Sequence, residues 1–412
     1  MRQDASVTTV AARRSRREAD ILDAARRVIL HDGVDGLRAQ ALAEEAGISV
    51  ATPYHYFPSL DDIACAVWAR ERGLAQTRRD VAEQSVGMDP AAQLQAVLAA
   101  DFDQRQAIVV ETWAVRLEYQ RRAVFDPRLR ALVLDGERAA VAQLARIVEQ
   151  LPSPTRLGPD AVARRLHALS SGLGTLVVLG LIDAAGATQL VVDAAGDCGA
   201  WRPTADRGRD AVSDLSSSNR FAARSPATRI LDATIALIAQ VGAGGVTFAG
   251  VAELAGVSGS LPRYHFGSRR ALLTAAFARN TELARERMLH QAMAADPLAR
   301  LATIYIDPAP AGLSALRPTL VLWSEYVGGA TRDSAMRTVA RERLETWIDY
   351  GLSLGLELAA AGAARRERIV RDGSLRQVAV NTGAGTLWLI GVLDDHAYPD
   401  VVNGAIDDAL GR

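Results

Sequence analysis

Apolar residues recur at helical spacing along most of the chain, and no stretch alternates between apolar and polar residues as a half-buried strand would. The first such segment follows Ser15-Arg-Arg-Glu18, a capping-box pattern. A similar segment follows Ser225-Pro226, where the serine would cap a helix and the proline would take its first position. The pattern predicts an all-α protein.

The chain repeats itself at long range. Residues 21–63 align with residues 230–272 at an offset of 209, and 15 of the 43 pairs are identical. Gly172-Leu-Gly-Thr-Leu176 recurs as Gly383-Ala-Gly-Thr-Leu387, and Trp113 matches Trp323 at an offset of 210. These echoes predict a duplicated unit of about 200 residues, in line with the ~150 residues per domain expected for 412 residues.

The best preserved part of the repeat comprises residues 47–57 and 256–266. Each begins with Gly, then has Ser two positions on, Pro six on and Phe ten on. We expect short helices at 39–46 and 248–255, the second capped by Thr247, and then a left-handed turn at the glycine.

A third helix should follow each turn. We expect it to start at Ser49 or Ser258, with Pro53 or Pro262 in its first turn, and a fourth helix to begin at Ser59 or Ser268. This order of elements is typical of a helix-turn-helix, whose third helix enters the DNA major groove.

Both copies resemble the N-terminal domain of TetR-family transcriptional regulators. The sequence AGVSGSLPRYHFGSR at 255–269 is similar to the family pattern A-G-V-S-x-G-x-L-Y-x-H-F-x-S-K almost throughout. The resemblance implies nine or ten helices per protomer, a homodimer formed by the last two long helices, and repression relieved by a small molecule. We therefore expect two such units, packed as an intramolecular pseudo-dimer, with further oligomerisation open.

The predicted domains follow from the repeat and from a stretch near its middle that is rich in Gly, Ser, Asp and Arg. They are a basic N-terminal arm (1–17), a first helix-turn-helix domain (18–62), a first ligand-binding and dimerisation domain (63–195), a linker (196–224), a second helix-turn-helix domain (225–271) and a second ligand-binding and dimerisation domain (272–412).

The resemblance implies DNA contacts at matching positions of the two copies. The residues expected to face the groove are Val50, Ala51, Thr52 and Tyr54 in the first copy and Gly259, Ser260, Leu261 and Arg263 in the second. Those expected at phosphates are Tyr54, His55 and Tyr56, and Tyr264, His265 and Arg269. For the aromatic residues the alternative is packing between helices, which we favour for Phe57 and Phe266.

Charge separates the two copies, although the whole chain carries a net charge of only -1. Residues 219–287 contain nine arginines and four acids, whereas residues 1–72 contain ten arginines and eleven acids. Leu60, Asp61 and Asp62 depart from the family pattern, which has a basic residue there. The second copy should therefore supply more of the salt-dependent affinity. The arginine-rich arm could reach the DNA or simply be a disordered tail.

Other features of the sequence limit the alternatives. The longest apolar runs are about half of the ~20 residues that a membrane span needs, and no secretory signal is evident, so a cytoplasmic protein is expected. Cys65 and Cys198 are isolated, and we expect no metal or cofactor. Enzyme motifs are absent. A DNA-binding protein without a ligand, acting through protein partners, remains an alternative.

The effector site is weakly marked. Trp113, Arg116 and Tyr119 in the first half, and Trp323 and Tyr326 in the second, could form apolar walls with polar anchors around a largely apolar effector. Ordinary core packing of a helical bundle is the alternative. The small residues at 172–180 and 383–391 predict close helix packing where family members dimerise.

Overall fold

The computed structural model describes residues 2–151, 157–201, 225–292, 313–358 and 363–409. These residues form helices, turns and loops without a strand, so the predicted all-α fold with two tandem units is confirmed. From residue 202 onward, the predicted linker lies outside the described residues. Its first residues, 196–200, are helical.

The first half contains eight α-helices within its described residues. They are α1 (Arg2–Asp32), α2 (Ala39–Ala46), α3 (Leu60–Ser85), α4 (Pro90–Ala99), α5 (Gln106–Ala123), α6 (Pro127–Glu149), α7 (Pro159–Leu179) and α8 (Ala184–Asp197). A 3-10 turn, Thr52–His55, lies between α2 and α3. After α8, Trp201 is buried beneath the Arg165 guanidinium. The guanidinium carbon lies 4.9 Å from the centre of the Trp201 ring.

The second half repeats this order. Its described helices are α9 (Pro226–Gly245), α10 (Phe248–Ala255), α11 (Leu261–Phe266), α12 (Arg269–Ala292), α13 (Arg317–Ala330), α14 (Ser334–Leu358), α15 (Ala363–Ile390) and α16 (Ala397–Ala409). In α9 the backbone leaves helical geometry at Gly242, which has φ 73°.

Most predicted helix ends in the two helix-turn-helix domains are confirmed. Ser225 and Thr247 cap α9 and α10 by accepting hydrogen bonds from Thr228 N–H and Gly250 N–H. Gly47 and Gly256 adopt φ of 63° and 61°, the left-handed conformation that the turn requires.

Three predicted helix starts are wrong. Ser15 does not cap a helix, because α1 begins at Arg2 and continues through this position. The third helix does not begin at Ser49 or Ser258. It begins three residues later, at Thr52 or Leu261, because the carbonyls of Ser49 and Ser258 first close a turn onto those N–H groups.

The two halves pack together through α7 and α15. A Cβ atom on Gly172 would lie 1.7 Å from the carbonyl oxygen of Ala379, and one on Gly383 would lie 1.9 Å from that of Ala168. Each contact repeats the other with the two halves exchanged, since Gly172 and Ala168 correspond to Gly383 and Ala379 at an offset of 211. The small residues predicted to allow close packing therefore lie at an approximate two-fold axis.

The structural register differs from the one suggested by Trp113 and Trp323. Gly174 packs on Trp113, whereas its counterpart Gly385 packs on Leu320. Arg130 and Arg337, 207 positions apart, donate to equivalent carbonyl pairs before α6 and α14. Hence α5 matches α13 at an offset of 207, and the equivalence of the two tryptophans is wrong. Small differences in loop length shift the offset along the chain.

Candidate nucleic-acid interface and effector region

The first helix-turn-helix domain, here called head 1 (residues 18–62), exposes most of its predicted groove-facing residues. Val50 is 44% and Tyr54 is 46% exposed, and Ala51 and His55 are exposed as well. Thr52 is half-buried and shares a hydrogen bond of 2.7 Å with Ser49. Tyr56 is also half-buried, with the Arg14 guanidinium 5.9 Å from its ring centre.

The corresponding surface of head 2 (residues 225–271) is more polar. Gly259, Ser260, Arg263 and His265 are exposed, and Tyr264 is 82% exposed, whereas Leu261 is half-buried. An aromatic ring as exposed as that of Tyr264 is hardly stabilised by burial in the protein and is available for contact with a partner. Phe57 and Phe266 pack against the core of their heads, as favoured from the sequence.

Two predicted contacts have roles inside the protein. Arg269 donates to the carbonyls of Val246 and Ala243, and so binds the C-terminal end of α9. The guanidinium of Arg263 lies 5.0 Å from the ring centre of Phe248. Both arginines are exposed, but the guanidinium of Arg269 is held by carbonyls of head 2 itself.

One of the two acids that open α3 also binds another side chain of the protein. Asp62 binds Arg128 at the start of α6, and the hydrogen bond from Arg128 lowers the pKa of the Asp62 carboxyl. Asp61 is exposed. At the equivalent junction of the second half, Arg270 of α12 binds Asp333, which precedes α14. The charges are reversed, yet each pair connects a head to the helical body behind it.

The body of the first half contains a buried group of polar side chains that the sequence did not reveal. This polar cluster consists of Arg79, Asp101, Arg116, Gln120, Glu137, His167 and Ser170. Asp101 accepts from Arg79 at 2.7 Å, Glu137 accepts from Gln120 at 3.0 Å, and His167 Nε2 lies 2.7 Å from Glu137. Arg116 binds Glu137 through two nitrogens.

The charges of the polar cluster compensate one another. Burial would raise the pKa of Asp101 and of Glu137, but the neighbouring arginines outweigh it and keep both values below normal. Burial lowers the pKa of His167, which favours the neutral imidazole. Two arginines therefore face two carboxylates, and the adjoining cavity has about the volume that one water molecule requires.

Four members of the polar cluster have apolar counterparts in the second half, whereas the counterpart of Ser170 is Asn381. Arg116, Gln120 and Glu137 correspond to Trp323, Val327 and Leu344 at an offset of 207. His167 corresponds to Val378 at an offset of 211. All four counterparts are buried. The two bodies therefore share a backbone plan but differ in the chemistry of their interiors.

The predicted effector residues do not come together in one pocket. Trp113 is stacked on Phe102 at 5.5 Å between ring centres, with the Arg116 guanidinium 4.5 Å from its own ring centre. Tyr119 is buried against α3 and donates to the carbonyl of Ala64 at 2.7 Å.

In the second half, the predicted effector residues pack against one another and their neighbours. Tyr326 is stacked on Phe277 of α12 at 4.3 Å, and Trp323 lies edge-on to Tyr326 and beneath the Arg343 guanidinium. Of the five predicted residues, only Arg116 belongs to the polar cluster. The other members come from α3, α5, α6, α7 and the turn that follows α4, and these segments carry no shared motif.

None of the helices in the described part of the chain is long and apolar enough to cross a membrane. Nowhere within that part do three or more His, Cys, Asp or Glu side chains gather in a way that could hold a metal ion.

Comparison with known proteins agrees with this architecture. The model described as "Bacterial regulatory proteins, tetR family" matches residues 21–67 and again residues 230–276. The model described as "BetI-type transcriptional repressor, C-terminal" matches residues 90–198. The first match repeats in both heads, and the second covers α4 to α8 of the first half.

Individual relatives are regulators of single-unit length. The HTH-type transcriptional regulator BetI of Burkholderia cenocepacia is 34% identical over 185 residues, which are 43% of this chain and 91% of that protein. BetI of Burkholderia lata is 32% identical over the same shares. A crystal structure described as a TetR-family regulator from Rhodococcus sp. shares 25% identity and covers 45% of this chain and 98% of its own, with a TM-score of 0.40.

The family assignment rests on the sequence relatives and on the two copies of the N-terminal model. One relative is matched over nearly its full length at more than 30% identity. The described helices supply the corresponding fold twice. The chain belongs to the tetR family of bacterial regulatory proteins.

Proposed function

We propose that this protein is a repressor that binds an asymmetric DNA operator through both heads and is released by a small-molecule effector. The observation that carries the proposal is the difference between the two exposed recognition surfaces. Head 1 presents Val50 and Tyr54 where head 2 presents Gly259 and Arg263. Unlike side chains at equivalent positions read unlike base edges.

The packing of α7 on α15 supports pairing of the two halves within one chain. The glycine contacts at Gly172 and Gly383 bring the backbones close together, and a larger residue would not fit there. An isologous homodimer presents two identical heads and requires a palindromic site, whereas this arrangement presents two different ones. We therefore expect two unlike half-sites one or two helical turns apart, at roughly 10 or 20 base pairs.

Release by an effector would use α5, because this helix touches the polar cluster, the core beneath head 1 and the opposite half. Arg116 and Gln120 belong to the cluster, and Tyr119 is bonded to α3. A ligand that replaces the Arg116–Glu137 ion pair would move these contacts together. We therefore expect a charged or strongly hydrogen-bonding group on the effector, rather than the largely apolar molecule that the sequence indicated.

The proposal is tested by selecting duplexes from a random-sequence pool and footprinting the winning site with and without candidate small molecules. Two unlike half-sites, released by a ligand that also raises the melting temperature of the protein, would support it. Failure to enrich any duplex would contradict it. Enrichment of a duplex without any response to small molecules would favour the alternative of a DNA-binding protein without an effector. The small cavity beside the polar cluster is consistent with that alternative.

A further inference from the structure

A buried arginine joins the two halves close to both heads. Arg121, near the end of α5, donates to both oxygens of Glu118 on the same helix at 2.9 and 2.7 Å. It also donates to both oxygens of Glu325 on α13 at 2.9 and 3.1 Å. The side chains of all three residues are at most 6% exposed. One guanidinium is thus shared by Glu118 and Glu325, one carboxylate from each half, and its Nη2 also lies 3.3 Å from Oδ2 of Asp35 in head 1.

Each of these carboxylates also holds a head. Glu118 accepts a hydrogen bond from Val34 N–H at 2.9 Å, and Glu325 accepts one from Ala243 N–H at 2.8 Å. Val34 and Ala243 directly follow Gly33 and Gly242, where the chain turns out of the first helix of each head. Glu118 and Glu325 are therefore equivalent anchors, and Arg121 is bound to both.

The position of Arg121 breaks the symmetry between the halves. Its counterpart at an offset of 207 is Gly328. A Cβ atom on Gly328 would lie 2.3 Å from Cδ of Arg121, so the absence of a side chain there makes room for the arginine. Two copies of the first half would place two buried arginines at this axis. The fused chain places one, which can serve both carboxylates without repulsion.

A second pair of contacts crosses between the halves beside it. Arg332 of the second half binds Glu118 at 2.9 Å and lies against Gly33 of head 1. Phe125 of the first half lies against Gly242 of head 2. Each head is thus held by its own glutamate and touched by a side chain of the other half.

We propose that Arg121 is a positioning residue that couples the two heads, fixing the separation of their recognition surfaces and so the half-site spacing that the protein accepts. The second part of this inference rests on the proposed function, and the first does not. In some proteins a buried polar or ionic group fixes a defined geometry while adding little net stability, which is the role assigned to Arg121.

The test measures the distance between the heads without DNA. Glu44 and Glu253 are exposed, equivalent positions in α2 and α10, and each can be replaced by a spin-labelled cysteine in a Cys65→Ser, Cys198→Ala background. Double electron–electron resonance then gives the distribution of distances between the two spin labels. In the parent protein we expect one narrow distribution.

The informative variant combines Glu118→Gln, Arg121→Met and Glu325→Gln. The glutamine carbonyls can still accept from Val34 and Ala243, so each head keeps its own anchor, while the charged connection between the halves is removed together with the Arg121–Asp35 contact inside the first half. We expect the distribution to broaden. The matched control is Arg116→Met with Glu137→Gln, which removes a buried ion pair from the same helix but within one half, and should leave the distribution narrow. Asp35→Asn weakens contacts within the first half only, and should leave the distribution narrow as well.

An unchanged width in the triple variant would overturn the proposal, as would equal broadening in the control. Should the triple variant fail to fold, Arg121→Lys keeps one charge without the paired hydrogen bonds, and an unchanged width there would overturn the proposal equally. Broadening together with no selected operator would mean that the coupling holds and the proposed function fails.

With a selected operator in hand, duplexes with one or two base pairs inserted between the half-sites give a second readout. The parent should lose affinity on insertion, on the order of 5- to 150-fold for a coupling of ordinary size. The triple variant should lose much less. Equal losses in both proteins would contradict the assignment of spacing to Arg121.

Discussion

The two halves follow one backbone plan with different interiors. In the first half, Arg116 and Glu137 lie in a buried polar cluster, whereas in the second half Trp323 and Leu344 occupy the same places. Duplication within a chain frees each copy from the requirement to serve both sides of a symmetric dimer. One body can keep a polar centre suited to binding while the other forms a core suited to support.

The close contact where the halves are alike should be the most sensitive to change. Gly172→Leu would push side-chain atoms into the backbone of α15, at a site where even a Cβ lies 1.7 Å from Ala379 O. We expect a loss of about 3 kcal/mol or more, or failure to fold, since overpacking alone costs about 1–3 kcal/mol. Thermal unfolding measures it.

Gly196→Ala in α8 is the matched control, because a Cβ there meets only the side chain of Gln95, at 3.8 Å. It should be neutral or stabilising by about 0.4–1 kcal/mol. Equal losses for both substitutions would show that the α7–α15 contact is not the tight interface described.

The difference between the two interiors can be tested by mutating the polar cluster. Glu137→Ala would leave Arg116 buried without its main partner, and we expect a cost of about 3–5 kcal/mol in the free energy of unfolding. Replacing both residues, Arg116→Met with Glu137→Leu, should cost far less. Urea unfolding of the three proteins measures both, and a double variant as unstable as the single one would contradict the comparison.

Acid should weaken the first half through its buried carboxylates. Burial raises the pKa of Glu118, but Arg121 and Arg332 outweigh it and lower the value to about 2, against 4.5 normally. Because the folded pKa is the lower one, the stabilisation is complete above pH 4.5 and is lost as the pH falls toward 2. Glu118→Gln should flatten the loss of stability between pH 4.5 and 3, and an unchanged pH profile would contradict this.

The smallest expected effect concerns the heads. Arg263→Ala should cost about 1–3 kcal/mol of operator affinity and relax the base preference at one position of the half-site, since Arg263 is expected to face the groove. Arg269→Ala should chiefly lower the melting temperature, because Arg269 binds the end of α9. Fluorescence anisotropy at several salt concentrations separates the two. Unchanged operator affinity and salt slope in a variant that combines Arg263→Ala with Arg269→Ala would show that head 2 does not supply the greater share of the salt-dependent affinity.

Local signals predicted the heads well. Gly47, Gly256, Ser225 and Thr247 determine turns and caps through their own backbones and side chains, so their positions could be read directly. The predicted helix start at Ser15 was wrong because a capping pattern does not show whether a helix already extends past it.

Long-range contacts could not be read in the same way. The polar cluster draws on four helices and the turn after α4, and the contact of Arg121 with Glu325 joins residues 204 positions apart. The tryptophans at 113 and 323 suggested the wrong register because identical residues need not be equivalent once loop lengths have changed. Effector and coupling residues therefore required the packed structure.

The central claim, that two unlike heads read two unlike half-sites, is tested most directly by making the heads alike. A variant with Val50→Gly, Ala51→Ser, Thr52→Leu and Tyr54→Arg gives head 1 the groove-facing residues of head 2. Duplexes selected by the parent protein should contain two different half-sites, and those selected by the variant should approach an inverted repeat. A perfect inverted repeat selected by the parent, or the same site selected by both proteins, would contradict the account.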